Sequence, residues 1–304
     1  PVVTRRGDAV FYGEELIDDY RGHVFGLAID LGTTTIVLEL INLETGASVH
    51  MSSLENPQRF GGSDVLNRIS YDGQHPNELR RTLVKALNHE IQHLCSRYDF
   101  IRQEIYEIVV AGNSTMRDIL FRLDVQGIGQ KPYKSQIELE YLEGLRASTS
   151  LTDTTRRVGL RANPRARIYS LPLIASHVGA DVAADLVAVG MDEHSESAML
   201  VDVGTNTEVV IAHEGRLVAA SCPAGPAFEG GGITYGMPGY RGAIESIRWQ
   251  NDSWRYSTIG DLAPAGLCGS GLIELLAELR RHDMMTPKGV FAEKQRQLDL
   301  VPEA

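Results

Sequence analysis

The sequence predicts an α/β protein built twice from one unit. Two observations carry this. The string DLGTTT at residues 30–35 and the string DVGTNT at residues 202–207 each lie between apolar, β-branched-rich runs. Around each string the same order occurs, strand–turn–strand–strand and then helical segments. A repeat of this length is a duplicated domain, not a short-period solenoid.

In chain order, residues 1–25 are polar and charged and read as a linker or edge segment. VFGLAIDL reads as a buried strand, TIVLELINL as a second, and ETGASVHMSSL as a turn and a third. The polar ENPQRFGGSD follows as a loop. Residues 77–96 carry Leu79, Leu83, Leu87, Ile91 and Leu94 at helical spacing, which predicts an amphipathic helix. EIYEIVVAGN is a strand ending in a Gly-Asn turn, and STMRDILFRL a helix. Residues 124–166 read as irregular, an insertion or a flap. RIYSLPLIA gives a strand and GADVAADLVAVGM a small-residue helix. The pattern then restarts with AMLVDVGTNTEVVIAHEGRLVAASC. A Gly-rich loop, a strand pair (ESIRWQNDSWRYSTI) and a glycine turn opening a helix (CGSGLIELLAELRRH) complete it. The units are expected at residues 26–195 and 196–304.

The 304 residues suffice for two domains with substantial cores. A net charge of −11 argues against a nucleic-acid surface. It does not argue against nucleotides, which backbone amides and a metal ion can hold. Cys95, Cys222 and Cys268 lie far apart, with no CxxC and no secretory signal, which points to a reducing cytoplasm. They cannot supply four ligands to an iron–sulfur cluster. No apolar run reaches the ~18–20 residues that span a membrane.

The repeated turn has a chemical use. A tight turn between strands aligns successive N–H groups into a concave nest for phosphate oxygens. Gly32 and Gly204 allow close approach, and Thr33, Thr34, Thr35, Thr205, Asn206 and Thr207 add small donors. Asp30 and Asp202 are candidate holders of Mg²⁺, through water. One copy alone is ordinary hairpin chemistry; two in matched contexts point to a triphosphate gripped from both sides. HEIQH, with His89 and His93, fits a zinc-peptidase pattern, but Glu90 falls inside the apolar arc and both histidines outside it. It reads as a solvated helix face. There is no P-loop and no dinucleotide fingerprint.

The two turns resemble the phosphate motifs of the ATPase superfamily of actin, hexokinase, acetate kinase and the heat-shock chaperone ATPase. GLAIDLGTTT, ENPQRFGGSDVLNRI, VVAGNSTM, LPLIASHVGAD, VDVGTNTE, AGPAFEGGGITYGM, GAI and GLCGSGLIE together resemble the reductive activators of corrinoid proteins. That resemblance implies duplicated RNase H-like subdomains around a nucleotide cleft. It implies ATP and Mg²⁺ as ligands, and ATP-driven return of Co(II) corrinoid to Co(I) on a corrinoid methyl-transfer protein.

The resemblance also assigns residues. Asp30 and Asp202 match metal-associated acids, and Gly32, Thr33, Thr34, Gly204, Thr205 and Asn206 match the phosphate loops. Asp181 matches an acid that orients water, with a helix-start acid favoured by the macrodipole as the equal alternative. Glu229, Gly269, Ser270 and Gly271 fall on the sugar and base side, or serve as packing glycines in a turn.

Family members carry a ferredoxin-like domain before this region, where the iron–sulfur cluster is expected, and a further Gly-Gly turn after it. Neither is in these residues. The chain is therefore expected to be a fragment or to have an incomplete nucleotide pocket. A corrinoid protein is the expected partner and a homodimer a further expectation. The competing functions are a small-molecule kinase of the acetate or sugar type, an activator of a radical dehydratase, and a nucleotide-gated assembly protein.

Overall fold

The computed structural model describes residues 2–191, 197–225, 227, 230, 233–292 and 297–301. The chain divides into two compact units, residues 1–202 with 208–221 and residues 203–207 with 222–304.

The first unit opens with β1 (Val3–Arg6), β2 (Ala9–Tyr12) and β3 (Glu15–Asp19), an antiparallel meander. The residues expected as a linker or edge segment thus form a sheet. Val3, Val10 and Ile17, one per strand, meet Val24 and Tyr106 in a small core. One buried residue per strand, in strands of four or five residues, is too short a pattern to register as alternation. Asp18 anchors this sheet by accepting hydrogen bonds from Tyr106 Oη at 3.2 Å, Asn163 Nδ2 at 2.8 Å and Arg21 Nε at 2.9 Å.

The main sheet follows. β4 (Phe25–Leu31), β5 (Thr35–Asn42) and β6 (Ser48–Glu55) pair antiparallel in sequence. Then come α1 (Val65–Gln74), α2 (Glu78–Tyr98), β7 (Ile105–Gly112), α3 (Ser114–Leu120), α4 (Gln126–Gly129) and α5 (Gln136–Leu142). After them lie β8 (Leu151–Thr154), α6 (Thr155–Val158), β9 (Arg167–Ser170) and α7 (Ala180–Val189). β7 runs parallel to β4 and to β9, giving the strand order β6-β5-β4-β7-β9-β8. The irregular stretch 124–166 therefore contributes short helices and the edge strand of this sheet. Its elements run four to seven residues, too short to show a period.

α2 buries Leu79, Leu83, Leu87, Ile91 and Leu94, as its spacing predicts, against Leu27, Ile29, Leu38 and Leu40 of the sheet. His89 and His93 lie on the exposed face, and Glu90 Oε1 is 3.6 Å from His93 Nδ1. α3 carries a wholly buried ion pair: Arg117 Nη2 lies 2.8 Å from Asp118 Oδ1, and Arg117 Nη1 donates to Thr149 O at 2.9 Å. This ties α3 to the segment before β8. Burial pushes the Asp118 carboxyl up to about 6, against the pull of Arg117.

β10 (Ala198–Val203), β11 (Asn206–His213) and β12 (Arg216–Pro223) form a three-stranded sheet in the order β10-β11-β12. The boundary between the units passes through its first turn. Val178, just before α7, and Val182 of α7 pack against Val210 of this sheet.

In the second unit β13 (Ala243–Gln250) pairs antiparallel with β14 (Ser253–Thr258) and parallel with β15 (Gly266–Leu267). α8 (Gly269–Arg281) covers them through Leu275 and Leu279 on Ile244 and Ile247. Two carboxylates reinforce the contact. Glu274 accepts from the Ile247 N–H at 2.9 Å, and Glu278 from the Trp249 N–H at 3.0 Å. Among the described residues no helix is long and apolar enough to cross a membrane.

Candidate functional site

The first D-x-G-T turn joins β4 to β5, with Asp30 at the penultimate position of β4, Gly32, Thr33 and Thr34 in the turn, and Thr35 opening β5. A Cβ on Gly32 would lie 2.4 Å from Thr35 O, so only glycine permits this turn. Two asparagines outside the hairpin hold it. Fully buried Asn56 donates its Nδ2 to Gly32 O at 2.8 Å and its backbone N–H to Thr34 O at 2.7 Å. Asn113, just past β7, donates its Nδ2 to Thr33 Oγ1 at 2.9 Å and accepts from the Met116 N–H at 3.0 Å. The turn is thus fixed by two straps, each capping the helical turn that follows it.

The start of α7 lies against the second strap. An added Cβ on Gly179 would lie 2.6 Å from Asn113 Cα and 2.9 Å from Gly112 O. This packing brings Asp181 to the end of the sheet, where its Oδ1 accepts from the Val182 N–H at 2.9 Å. The register of β4 on β7, Asp30 opposite Ala111 and Leu31 opposite Gly112, brings Asp30 to the same end.

Five carboxylates of the first unit act on one another here. Burial first, then Asp202 and Asp185, push Asp30 up to about 6. Asp30 is exposed by area, yet protein crowds its remaining sides enough for desolvation to lead. Burial raises Asp181 to about 7; the Val182 N–H opposes this, and Glu208, Asp202 and Asp30 add to it. Burial and then Asp202 raise Asp185 to about 6. Asp202 is raised by burial. Glu208 is raised chiefly by burial, opposed by the Ser221 hydroxyl, which donates to it at 2.7 Å. No lysine or arginine figures among the main influences on any of the five. Among the described residues no three His, Cys, Asp or Glu side chains are placed together to hold a metal ion by themselves.

The three acids marked in the sequence, Asp30, Asp181 and Asp202, thus fall in one electrostatic cluster. Asp185, Glu208, Asn56 and Asn113 were not singled out. Asp185 had a signal, since DVAAD places it at i+4 from Asp181, on the same helix face. Glu208 had a weaker one, as the first acid after TNT. The asparagines carry none beyond the ordinary use of Asn in caps and turns.

The second turn joins β10 to β11. Gly204 donates its N–H to Asn206 O at 3.0 Å, and Thr205 O accepts from Ala224 at 3.2 Å and Gly225 at 2.9 Å. Thr207 O accepts from Cys222 Sγ at 3.4 Å. In the second unit Gly269, Ser270 and Gly271 form the first turn of α8. An added Cβ on Gly271 would lie 2.1 Å from Ile244 O, so close helix–strand packing demands that glycine. Glu229 lies outside the described residues.

A three-strand meander continued by parallel strands, turning at D-x-G-T and followed by a second such meander, is the fold of the actin-like ATPases. The chain belongs to the RACo family: the RACo middle region matches residues 25–194, and the C-terminal domain of RACo, the ASKHA domain, matches residues 196–302. It is 32% identical over 275 residues to the corrinoid activation enzyme RamQ of Eubacterium limosum, covering 88% of this chain and 44% of that protein. It is 23% identical over 233 residues to the [Co(II) methylated amine-specific corrinoid protein] reductase of Methanosarcina barkeri, covering 76% and 42%. A solved structure titled reductive activator for corrinoid,iron-sulfur protein superposes with a TM-score of 0.79 at 33% identity, covering 93% of this chain and 44% of that one. The chain spans less than half the length of these relatives. The actin-like fold and the family expected from the quoted motifs are those of the chain.

Proposed function

We propose that these residues are the nucleotide-binding part of an ATP-dependent reductive activator of corrinoid proteins. The observation that carries the reading is the first turn. Its glycine is obligatory, two asparagines hold it from outside, and Asp30, Asp181 and Asp202 gather at the same end of the first unit. The names of the relatives supply the corrinoid protein as partner and Co(II) as the oxidation state acted on.

In this reading the turn amides around Gly32 receive phosphate oxygens. Thr33 Oγ1 accepts from Asn113, which leaves the Thr33 hydroxyl proton to donate to the same phosphate. Asp30 and Asp202 are the residues that would hold Mg²⁺, through water. Mg²⁺, when bound, neutralises charge on the phosphates being separated. Asp181, held by the Val182 N–H, orients the attacking water. Nucleotide occupancy then changes the surface offered to the corrinoid protein. The iron–sulfur centre that supplies the electron is assigned to protein outside these residues.

Calorimetry with Mg-ATP on the longer protein, with the Gly-Gly turn that follows this region in the family, tests the nucleotide site: binding heat that Asp202→Ala removes is expected, and no heat with ATP or ADP overturns it. The corrinoid step is read separately. With an iron–sulfur electron donor present, the Co(II) spectrum of the corrinoid protein should give way to that of Co(I) only when ATP is added.

A further inference from the structure

The outer face of α2 carries a groove of about 790 Å³ that has no part in the turn or the acidic cluster. Arg81, Lys85 and His89 stand along it at successive i, i+4 positions, all exposed, and Arg161 faces them from the loop after α6. Val84 and Pro57 also line it. No carboxylate lines it.

Some arginines of the chain are neutralised by an acid, as Arg6 is by Glu14, Arg21 by Asp18 and Arg248 by Glu274. Among the described residues Arg81, Lys85 and Arg161 make no ion pair. The packing holds the groove in this form. Asn88 Nδ2 donates to Gly159 O at 2.9 Å and Asn88 Oδ1 accepts from the Arg161 N–H at 2.7 Å, which fixes the loop bearing Arg161 against α2. The chain as a whole carries a net charge of −11. A positive groove on such a molecule is a local reversal of sign, which selects a negative partner by steering and by contact and repels a second acidic face elsewhere.

We propose that this groove is a docking surface for an acidic segment of another protein, whose carboxylates pair with Arg81, Lys85 and Arg161 while its apolar side chains lie on Val84. The spacing favours a peptide chain. Cations one helical turn apart match carboxylates repeated along a helix or strand, and the aliphatic stems of Arg and Lys add apolar contact. Pro57 follows Asn56, which holds the first turn, in the chain. The proposal does not depend on the nucleotide reading.

The test uses fluorescein-labelled poly-L-glutamate and the whole chain, followed by fluorescence anisotropy. Binding is expected at low salt and should weaken as salt is raised. The double variant Arg81→Glu, Lys85→Glu should weaken it at least about tenfold, with an unchanged thermal unfolding midpoint. Arg161→Glu, on a separate element, should weaken it several-fold and keeps the test decisive if the double variant does not fold. No binding by the unmodified chain, or equal binding by Arg161→Glu, overturns the proposal. Tighter binding of duplex DNA or of phosphatidylserine vesicles through the same residues also overturns it, in favour of a nucleic acid or a lipid surface.

Discussion

The two D-x-G-T turns begin from almost the same six residues and end in different surroundings. Around the first, Leu27, Ile29, Leu31, Leu38 and Leu40 are at most 2% exposed, in the middle of a six-stranded sheet. Beside the second, Met199, Val201 and Val203 of β10 are 67%, 43% and 40% exposed, on a sheet of three strands. Leu217 and Val218 of β12 are exposed as well. The same turn chemistry is therefore set on a packed foundation in one case and on a half-covered one in the other. A nest of N–H groups binds well only if its geometry is already in place, because ordering it on binding costs affinity. The first turn meets that condition through Asn56 and Asn113. The second depends more on what it contacts.

The largest contrast is expected in stability. Leu38→Ala removes a wholly buried side chain from β5 and should cost about 2–5 kcal/mol. Val201→Ala on β10 should cost about 0.5 kcal/mol or less. Urea unfolding of the two variants measures both. Equal costs would mean that the second sheet is as well packed as the first, and the comparison would fail.

Next comes the turn itself. Gly32→Ala sets a methyl group against Thr35 O and should weaken Mg-ATP binding at least roughly tenfold, about 1.4 kcal/mol. Calorimetry on the folded variant of the longer protein checks this. Unchanged affinity would remove the first turn from the nucleotide site.

A smaller and more specific effect is expected at the strap. Asn113→Asp keeps the oxygen that accepts from Met116 and loses the N–H that donates to Thr33. Stability should change by about 0.5 kcal/mol or less, while Mg-ATP affinity falls several-fold. Asn113→Ala loses both bonds and should cost a further ~1 kcal/mol of stability. If both variants bind Mg-ATP as the parent does, the strap is structural only.

A further effect depends on pH. Burial pushes the Asp181 carboxyl up to about 7 in the folded chain, from about 3.9 when unfolded. Between those values the folded chain keeps a proton that the unfolded chain has released. This contribution to stability is complete below the lower value and is lost as pH rises through the upper one. Asp181→Asn should therefore unfold at the same temperature as the parent in acid and at a higher one above neutrality, in the absence of nucleotide and Mg²⁺. A variant that tracks the parent across that window would show that Asp181 is not raised by burial and by the carboxylates near it.

Much of this protein was legible in one dimension because local chemistry dictated it. The β-branched run before Asp30, the obligatory glycine at position 32 and the leucines of α2 at helical spacing are short-range patterns, and each formed the expected element. The repetition of the turn pointed to a duplicated unit, and the quoted motifs revealed the family. Other features were decided only by the tertiary structure. The sheet at residues 3–19 has one buried residue per strand, and it exists because Val24, Tyr106 and Asp18 complete its core and its anchor. The segment 124–166 acquires order because Arg117 and the edge of β9 give it partners. Asp185 and Glu208 joined the acidic cluster, and Asn56 and Asn113 became straps, through pairings between residues far apart in the chain. A sequence states which side chains carry charge or a hydrogen-bonding group. Which of them lose water and which find each other is set by packing across the sheet, and that is what raised these acids and held the turn.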